Sequence, residues 1–161
     1  MPATRPSAFT AFLLALALSP AAAQQPAARF TPSRDERALL ELTNKERQGA
    51  GLPPLRLSEK LFRAARTHSA NMARQAQLGH TLDGKAPGDR LRDAGYRWSV
   101  CGENCAQGQR SPGEAVRCWM ASPGHRAALL NGCYTETGFG VAQGADGQLY
   151  YTQVFAAPTR P

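Results

Sequence analysis

From residue 33 onward the chain carries apolar positions in two rhythms, helical first and strand-like at the end. Leu39, Leu40, Leu42 and Thr43 form an apolar stripe at helical spacing. Ser33-Arg34-Asp35-Glu36 in front of it reads as a capping box: the hydroxyl takes an amide of the first turn and Glu36 reaches back. Gly49-Ala50-Gly51 ends this helix, and Pro53-Pro54 opens an extended link. Ser58 is placed to cap a second helix. Its face is Leu61, Ala64, Ala65, His68, Met72 and Ala76, with Arg63, Arg66 and Arg74 elsewhere. Gly79 is expected to stop it, and the turn-rich HTLDGKAPGDR follows.

The second half is shorter-ranged. A short helix is predicted at about 88–94, a strand or strand-like loop at 98–106, and a helix from Pro112 to Met120. In SPGHRAALLNG, Ser122 fits an N-cap, Pro123 the first helical position and Asn131-Gly132 the C-cap. Residues 138–142 and 148–155 read as two strands of a hairpin turned at Ala145-Asp146-Gly147, and APTRP as a loose tail. Helices first and antiparallel strands later give an α+β class, with helices packed on a small sheet.

Residues 1–23 change the picture from any domain to an exported one. Arg5 is followed by an uncharged apolar run, then Pro20 and Ala21-Ala22-Ala23, which is the order of a cleavable signal peptide. The run is too short to cross a bilayer, which takes about 20 residues. Cleavage would leave a leader over 24–32, one domain over 33–157 and a tail at 158–161, located outside the cell or in the periplasm, with no transmembrane segment and nothing that demands more than a monomer. The formal charge is +7, but the arginines are scattered, so a solvated surface is the simpler reading and no nucleic-acid partner is expected.

Cys101, Cys105, Cys118 and Cys133 are an even number in an oxidising compartment, which reads as two disulfides. Of three pairings, Cys101–Cys105 with Cys118–Cys133 closes the shortest loops. No CxxC pair supports a cysteine zinc site.

Three histidines remain as chemistry. His68 lies on the apolar stripe and is expected to be a structural core residue. His80 sits among turn residues. His125 lies at the third position of the short helix, where the helix dipole disfavours its protonation, and a neutral imidazole can bind a metal or act as a base. Glu103, in Cys101-Gly102-Glu103-Asn104-Cys105, is held in a tight segment. These residues obey no short metal rule, and HExxH and GxSxG are absent. Composition and spacing alone reach an exported α+β domain with a His/Glu cleft.

The segments GHTLDGKAPGDRL (79–91), AGYRWSVCGENCA (94–106), EAVRCWMASPGHRAALLN (114–131), YTETGFGVA (134–142) and LYYTQVFA (149–156), in this order, resemble the CAP superfamily, also called SCP or PR-1-like, in its bacterial secreted form. The resemblance covers about 35–157. It implies an α-β-α sandwich around a small antiparallel sheet, and a cleft in which His80 and His125 are the histidines and Glu103 is the acid of the GEN motif. A further glutamate of the eukaryotic pattern falls on Ser122 here, and Cys105 replaces an apolar residue. Asn104, Ser122 and Glu136 are candidate supporting residues, with Glu136 expected to pair with Arg126 and Asn104 to fasten the loop around Glu103.

Three functions are open, two through that cleft and one through the basic surface. The first is a non-enzymatic module binding a small ligand, an envelope component, or zinc or another divalent ion at His80 and His125. The second is a zinc-dependent hydrolase with Glu103 as third ligand or base. The third is an envelope-interaction protein acting through Arg63, Arg66, Arg74 and Arg97.

Overall fold

The computed structural model describes residues 30–159. The signal-peptide reading and most of the leader fall outside the described residues. In chain order the elements are α1 (Arg34–Gly49), β1 (Arg56–Leu57), α2 (Glu59–Gln75), α3 (Pro87–Asp93), β2 (Trp98–Gln107), α4 (Pro112–Ala121), α5 (Pro123–Leu129), β3 (Glu136–Gln143) and β4 (Leu149–Pro158).

The local signals set most of these boundaries. The capping box of α1 forms in both directions: Glu36 N–H donates to Ser33 Oγ at 3.2 Å and Ser33 N–H to Glu36 Oε2 at 2.6 Å. Ser58 and Ser122 do occupy N-cap positions, but neither side chain makes a cap hydrogen bond. Two ends differ from expectation. α2 stops at Gln75 because Ala76 turns into the left-handed region (φ 48°), short of Gly79. The C-cap of α5 is Leu130. β4 continues to Pro158, so the tail's first residues are strand: Trp98 and Val100 pair with Pro158 and Ala157.

The sheet order is β1-β3-β4-β2. β3, β4 and β2 are antiparallel; the two-residue β1 adds a parallel pairing at one edge, Arg56 opposite Glu136. Helices α2 and α3 cover one face, where Leu61, Ala64, Ala65, Leu91 and Tyr96 pack on Val154 and Ala156. Helices α1, α4 and α5 cover the other, around Leu39, Trp119, Leu129, Tyr151 and Phe155. This is an α-β-α sandwich. β2 is an edge strand, so the chain segments on either face can meet around its rim.

α2 approaches the sheet more closely than side chains allow. A Cβ on Gly138 would lie 2.2 Å from the Leu61 carbonyl carbon, and one on Gly140 2.4 Å from Ala65 O. Bare glycine on β3 facing alanine on α2 lets the two backbones touch. This contact fixes the depth at which His68 is presented.

The cysteines are not bridged: all four are free thiols. Cys101 and Cys105 lie four residues apart on one strand, roughly 13 Å at the rise of extended chain, where a disulfide needs about 4.4–6.8 Å between Cα atoms. The Cys101–Cys105 expectation therefore fails on geometry. Cys118 on α4 and Cys133 in the turn before β3 are exposed and unbonded, so the second expected bridge is absent as well.

Candidate functional site

Glu103 is the centre of the site, and strand alternation places it. Residues 101, 103 and 105 of β2 share the face under α2, and Asn104 points to the opposite face. The Glu103 side chain is only 1% exposed. Its Oε2 accepts from Arg90 Nη2 at 2.7 Å. Its Oε1 is 3.0 Å from His80 Nδ1, 3.4 Å from Cys105 Sγ and 3.6 Å from His68 Nε2.

Arg90 is the residue that assembles the rest. From α3 its guanidinium donates to Glu103, to His80 O at 3.0 Å and to Lys85 O at 2.8 Å. It so pins both ends of the loop that carries His80. The loop is closed by an Asp83-Gly84 turn with both φ positive (51° and 70°), bridging Leu82 to Lys85. Leu82 is buried against Met72, Ala73, Cys105 and Tyr150 and anchors the loop to the core.

His80 reaches the surface with its side chain 52% exposed. Its Nδ1–H on the carboxylate leaves Nε2 directed away from Glu103. The Glu103 hydrogen bond holds the His80 pKa above the ordinary value, against the opposing effect of burial. For Glu103, burial alone pushes the carboxyl up, but His80, Arg90 and His68 outweigh it and the acid sits below its ordinary range. His68 is pushed down by burial; its Nε2 also lies 2.7 Å from Gly79 O.

His125 arrives from the other face. Asn104 Nδ2 donates to His125 O at 3.0 Å, so one residue of the GEN segment holds the acid beneath α2 and the next clamps the first turn of α5. That is the fastening role expected of Asn104, directed at α5. The His125 Nδ1 is buried without a partner. Its pKa is lowered by burial and then by the charge of His80.

Ser122 stays at the N-cap of α5. Glu136 does not pair with Arg126: it accepts from Tyr96 Oη at 2.8 Å and from Arg56 Nη2 at 3.2 Å, at the β1 side of the sheet. Its neighbour across β3–β4 is Ala156, while Glu103 on β2 pairs with Val154. Sequence reasoning missed Arg90, one basic residue among many, whose turn-rich setting gave no sign of burial. It treated His68 as core only. His68 is core, at 1% exposure, and it is also a neighbour of Glu103.

A family model described as CAP, the cysteine-rich secretory protein family, matches residues 40–155. The chain belongs to the CAP family. It is 38% identical over 109 residues to the Bacillus subtilis uncharacterized protein YkwD, covering 67% of this chain and 42% of that one. It is 36% identical over 123 residues to the B. subtilis uncharacterized membrane protein YlbC, covering 74% and 34%. The chain thus spans less than half the length of these relatives. Among solved structures it superposes on an extracellular SCP-domain protein of Bacillus anthracis with a TM-score of 0.71 at 30% identity, covering 76% of this chain and 40% of that one. An outer surface protein of Borrelia burgdorferi shares the fold at TM-score 0.72 and 21% identity, covering 76% and 92%.

Two of the expected site histidines have donor capacity that would suit a divalent ion. A histidine whose Nδ1 is held by a carboxylate presents Nε2 as a ligand, the usual support of a metal-binding imidazole. The buried, unpartnered Nδ1 of His125 marks a second ring with unused capacity. Glu103 is not available to such an ion in the cleft, since Arg90 and His80 occupy its two oxygens.

Proposed function

We propose that this CAP domain is an exported, non-enzymatic binding module whose cleft between His80 and His125 takes a divalent cation of the zinc class. The observation that carries the non-enzymatic reading is the commitment of Glu103. The hydrolase reading uses Glu103 as third zinc ligand or as base for a bound water. Glu103 is the acid nearest His80, it is buried, and both its oxygens are engaged. Ser122, where the eukaryotic pattern has a second glutamate, brings no carboxylate. The metal would be held by Nε2 of His80 and by His125, and would supply a point of attachment for a ligand's oxygen or nitrogen.

Export rests on the segment 1–23 and on kinship with an extracellular protein and a surface protein. Among the described residues no helix is long and apolar enough to cross a membrane. The first residue of the exported form is expected to be Gln24. The basic-surface alternative loses two of its residues to ion pairs: Arg66 is bound to the buried Glu36 and Arg74 to Asp83.

Calorimetric titration of the protein with zinc tests the cleft. One equivalent is expected to bind, with affinity lost in His80→Ala and in His125→Ala. Binding unchanged in His125→Ala removes the cleft as the site. Chelator-sensitive turnover of a peptide, glycan or nucleic acid that disappears in His125→Ala would replace the module with an enzyme.

A further inference from the structure

We propose that Cys105 Sγ, Glu103 Oε1 and His80 Nδ1, backed by His68, form a second, buried site for a borderline-soft divalent cation, on the inner side of His80. The arrangement at Glu103 Oε1 points to it. His80 Nδ1 at 3.0 Å and Cys105 Sγ at 3.4 Å share that one oxygen. His68 Nε2 lies 3.6 Å from it and is held by Gly79 O, while His68 Nδ1 is buried without a partner.

The dimensions agree. Zinc bonds of about 2.0–2.2 Å to nitrogen or oxygen and 2.3 Å to sulfur, at tetrahedral angles, separate ligand atoms by roughly 3.4–3.6 Å. Here His80 Nδ1 and Glu103 Oε1 are 3.0 Å apart, Cys105 Sγ and Oε1 3.4 Å, and Sγ and Nδ1 3.7 Å. These are the edges of one face of such a tetrahedron to within a few tenths of an ångström. His68, Glu103 and Cys105 each present a ligand atom within 4.8 Å of the others, so His68 stands beside this face. Soft and borderline ions favour a thiolate-imidazole-carboxylate set over an all-oxygen one.

The protons balance without another reactant. Binding M²⁺ releases the Cys105 Sγ–H proton to solvent. It also moves the His80 proton from Nδ1 to Nε2, where the exposed edge of the ring finds water. Burial and the nearby Glu103 push the free thiol's pKa far up, so in the empty site Cys105 is a thiol donating toward Glu103. A coordinated dication reverses that preference. In the filled site two anions and the dication cancel, and Arg90 stays on Glu103 Oε2, outside the coordination sphere. A groove of about 720 Å³ between α2, α3 and the His80 loop, lined in part by His68 and Arg90, lies beside the site.

This site does not use His125. It takes the opposite nitrogen of His80 from the cleft, so an inner ion converts His80 at the cleft from a ligand into an N–H donor. Cysteine at position 105 is what distinguishes it, since the resemblance puts an apolar residue there.

The test is a cobalt(II) titration of the full chain carrying Cys101→Ser, Cys118→Ser and Cys133→Ser, so that Cys105 is the one thiol. A thiolate-to-cobalt charge-transfer band in the near ultraviolet is expected, saturating at one equivalent, displaced by zinc and retained when His125→Ala is added. Loss of the band in Cys105→Ser, with far-ultraviolet dichroism unchanged, assigns the sulfur. If Cys105→Ser does not fold, the spectrum of the triple variant decides alone. Saturating cobalt without a sulfur band overturns the proposal. Calorimetric binding that lacks the band and vanishes in His125→Ala leaves the cleft reading standing by itself; a band without any dependence on His125 separates the two the other way.

Discussion

The three histidines of this small domain are shifted in two opposite directions, and each shift has a physical cause. His80 gains a buried carboxylate partner, so its folded pKa is raised. The stability this contributes is fully present below the ordinary imidazole value of about 6.5 and is lost as pH rises through the raised folded value. His68 and His125 run the other way: burial lowers both, so each contributes above the ordinary value and loses that contribution as pH falls toward its folded one. In a proton NMR titration, His80 is expected to have its midpoint above that of free imidazole and the other two below. In Glu103→Gln the His80 midpoint should fall, since the charge that raised it is gone. Three coincident midpoints would contradict the hydrogen-bonded dyad. Arg90 belongs to the same scale. It neutralises an acid that burial alone would protonate, and it binds two carbonyls of the loop that delivers His80.

Element packing is set by small residues at contacts where nothing larger fits. Gly138 and Gly140 let α2 rest on β3 backbone to backbone. Gly102 of the GEN segment does the same for Tyr134, whose hydroxyl would lie 2.3 Å from an added Cβ. Gly140→Ala is expected to cost about 1–3 kcal/mol by overpacking, because the opposing atoms are helix backbone and cannot rotate away. Urea unfolding measures this, and a variant as stable as the parent would show that α2 can lift without loss. A lifted α2 also withdraws His68 from Glu103, so the same variant should shift the His68 resonance. On the other face Arg47 plays the binding part: fully buried, it donates to Pro53 O, Leu129 O, Asn131 O and Tyr134 O and ties α1 to the segment after α5. Burial lowers its pKa, and the groups it donates to are all backbone carbonyls. Its place on the stripe of α1, one turn after Thr43, is invisible to a search for apolar periodicity.

At the scale of the whole molecule, stability comes from the sandwich itself, since all four thiols are free. In the reduced native protein, an alkylating reagent should label Cys118 and Cys133 quickly and Cys105 only after unfolding, because Cys105 is 5% exposed behind Leu82. Mass spectrometry of timed samples reads this directly. Native labelling of Cys105 at the rate of Cys118 would mean that the space under α2 is open. The formal charge of +7 is a net figure. Paired arginines add nothing to it: Arg66 lies with Glu36 under Phe30, and Arg90 with Glu103. Arg63 and Arg97 form no ion pair among the described residues.

The chain determined by itself what depends on neighbours in sequence. The capping box at Ser33, the Pro123 start of α5, the turn at Asp146-Gly147 and the period of α2 are local physics, legible within a few residues. Motif order was enough to name the family and to select His80, Glu103 and His125. What tertiary structure alone decided is where long side chains end. An arginine's head lies several ångströms from its Cα, so no spacing rule told that Arg90 closes on Glu103, Arg47 on four carbonyls, or Glu136 on Tyr96. The rise of an extended strand holds Cys101 and Cys105 far apart along β2 instead of in a bridge. The position of β2 at the edge of the sheet, a property of the whole topology, is what lets the His80 loop close on Glu103 from one face while Asn104 holds the first turn of α5 on the other.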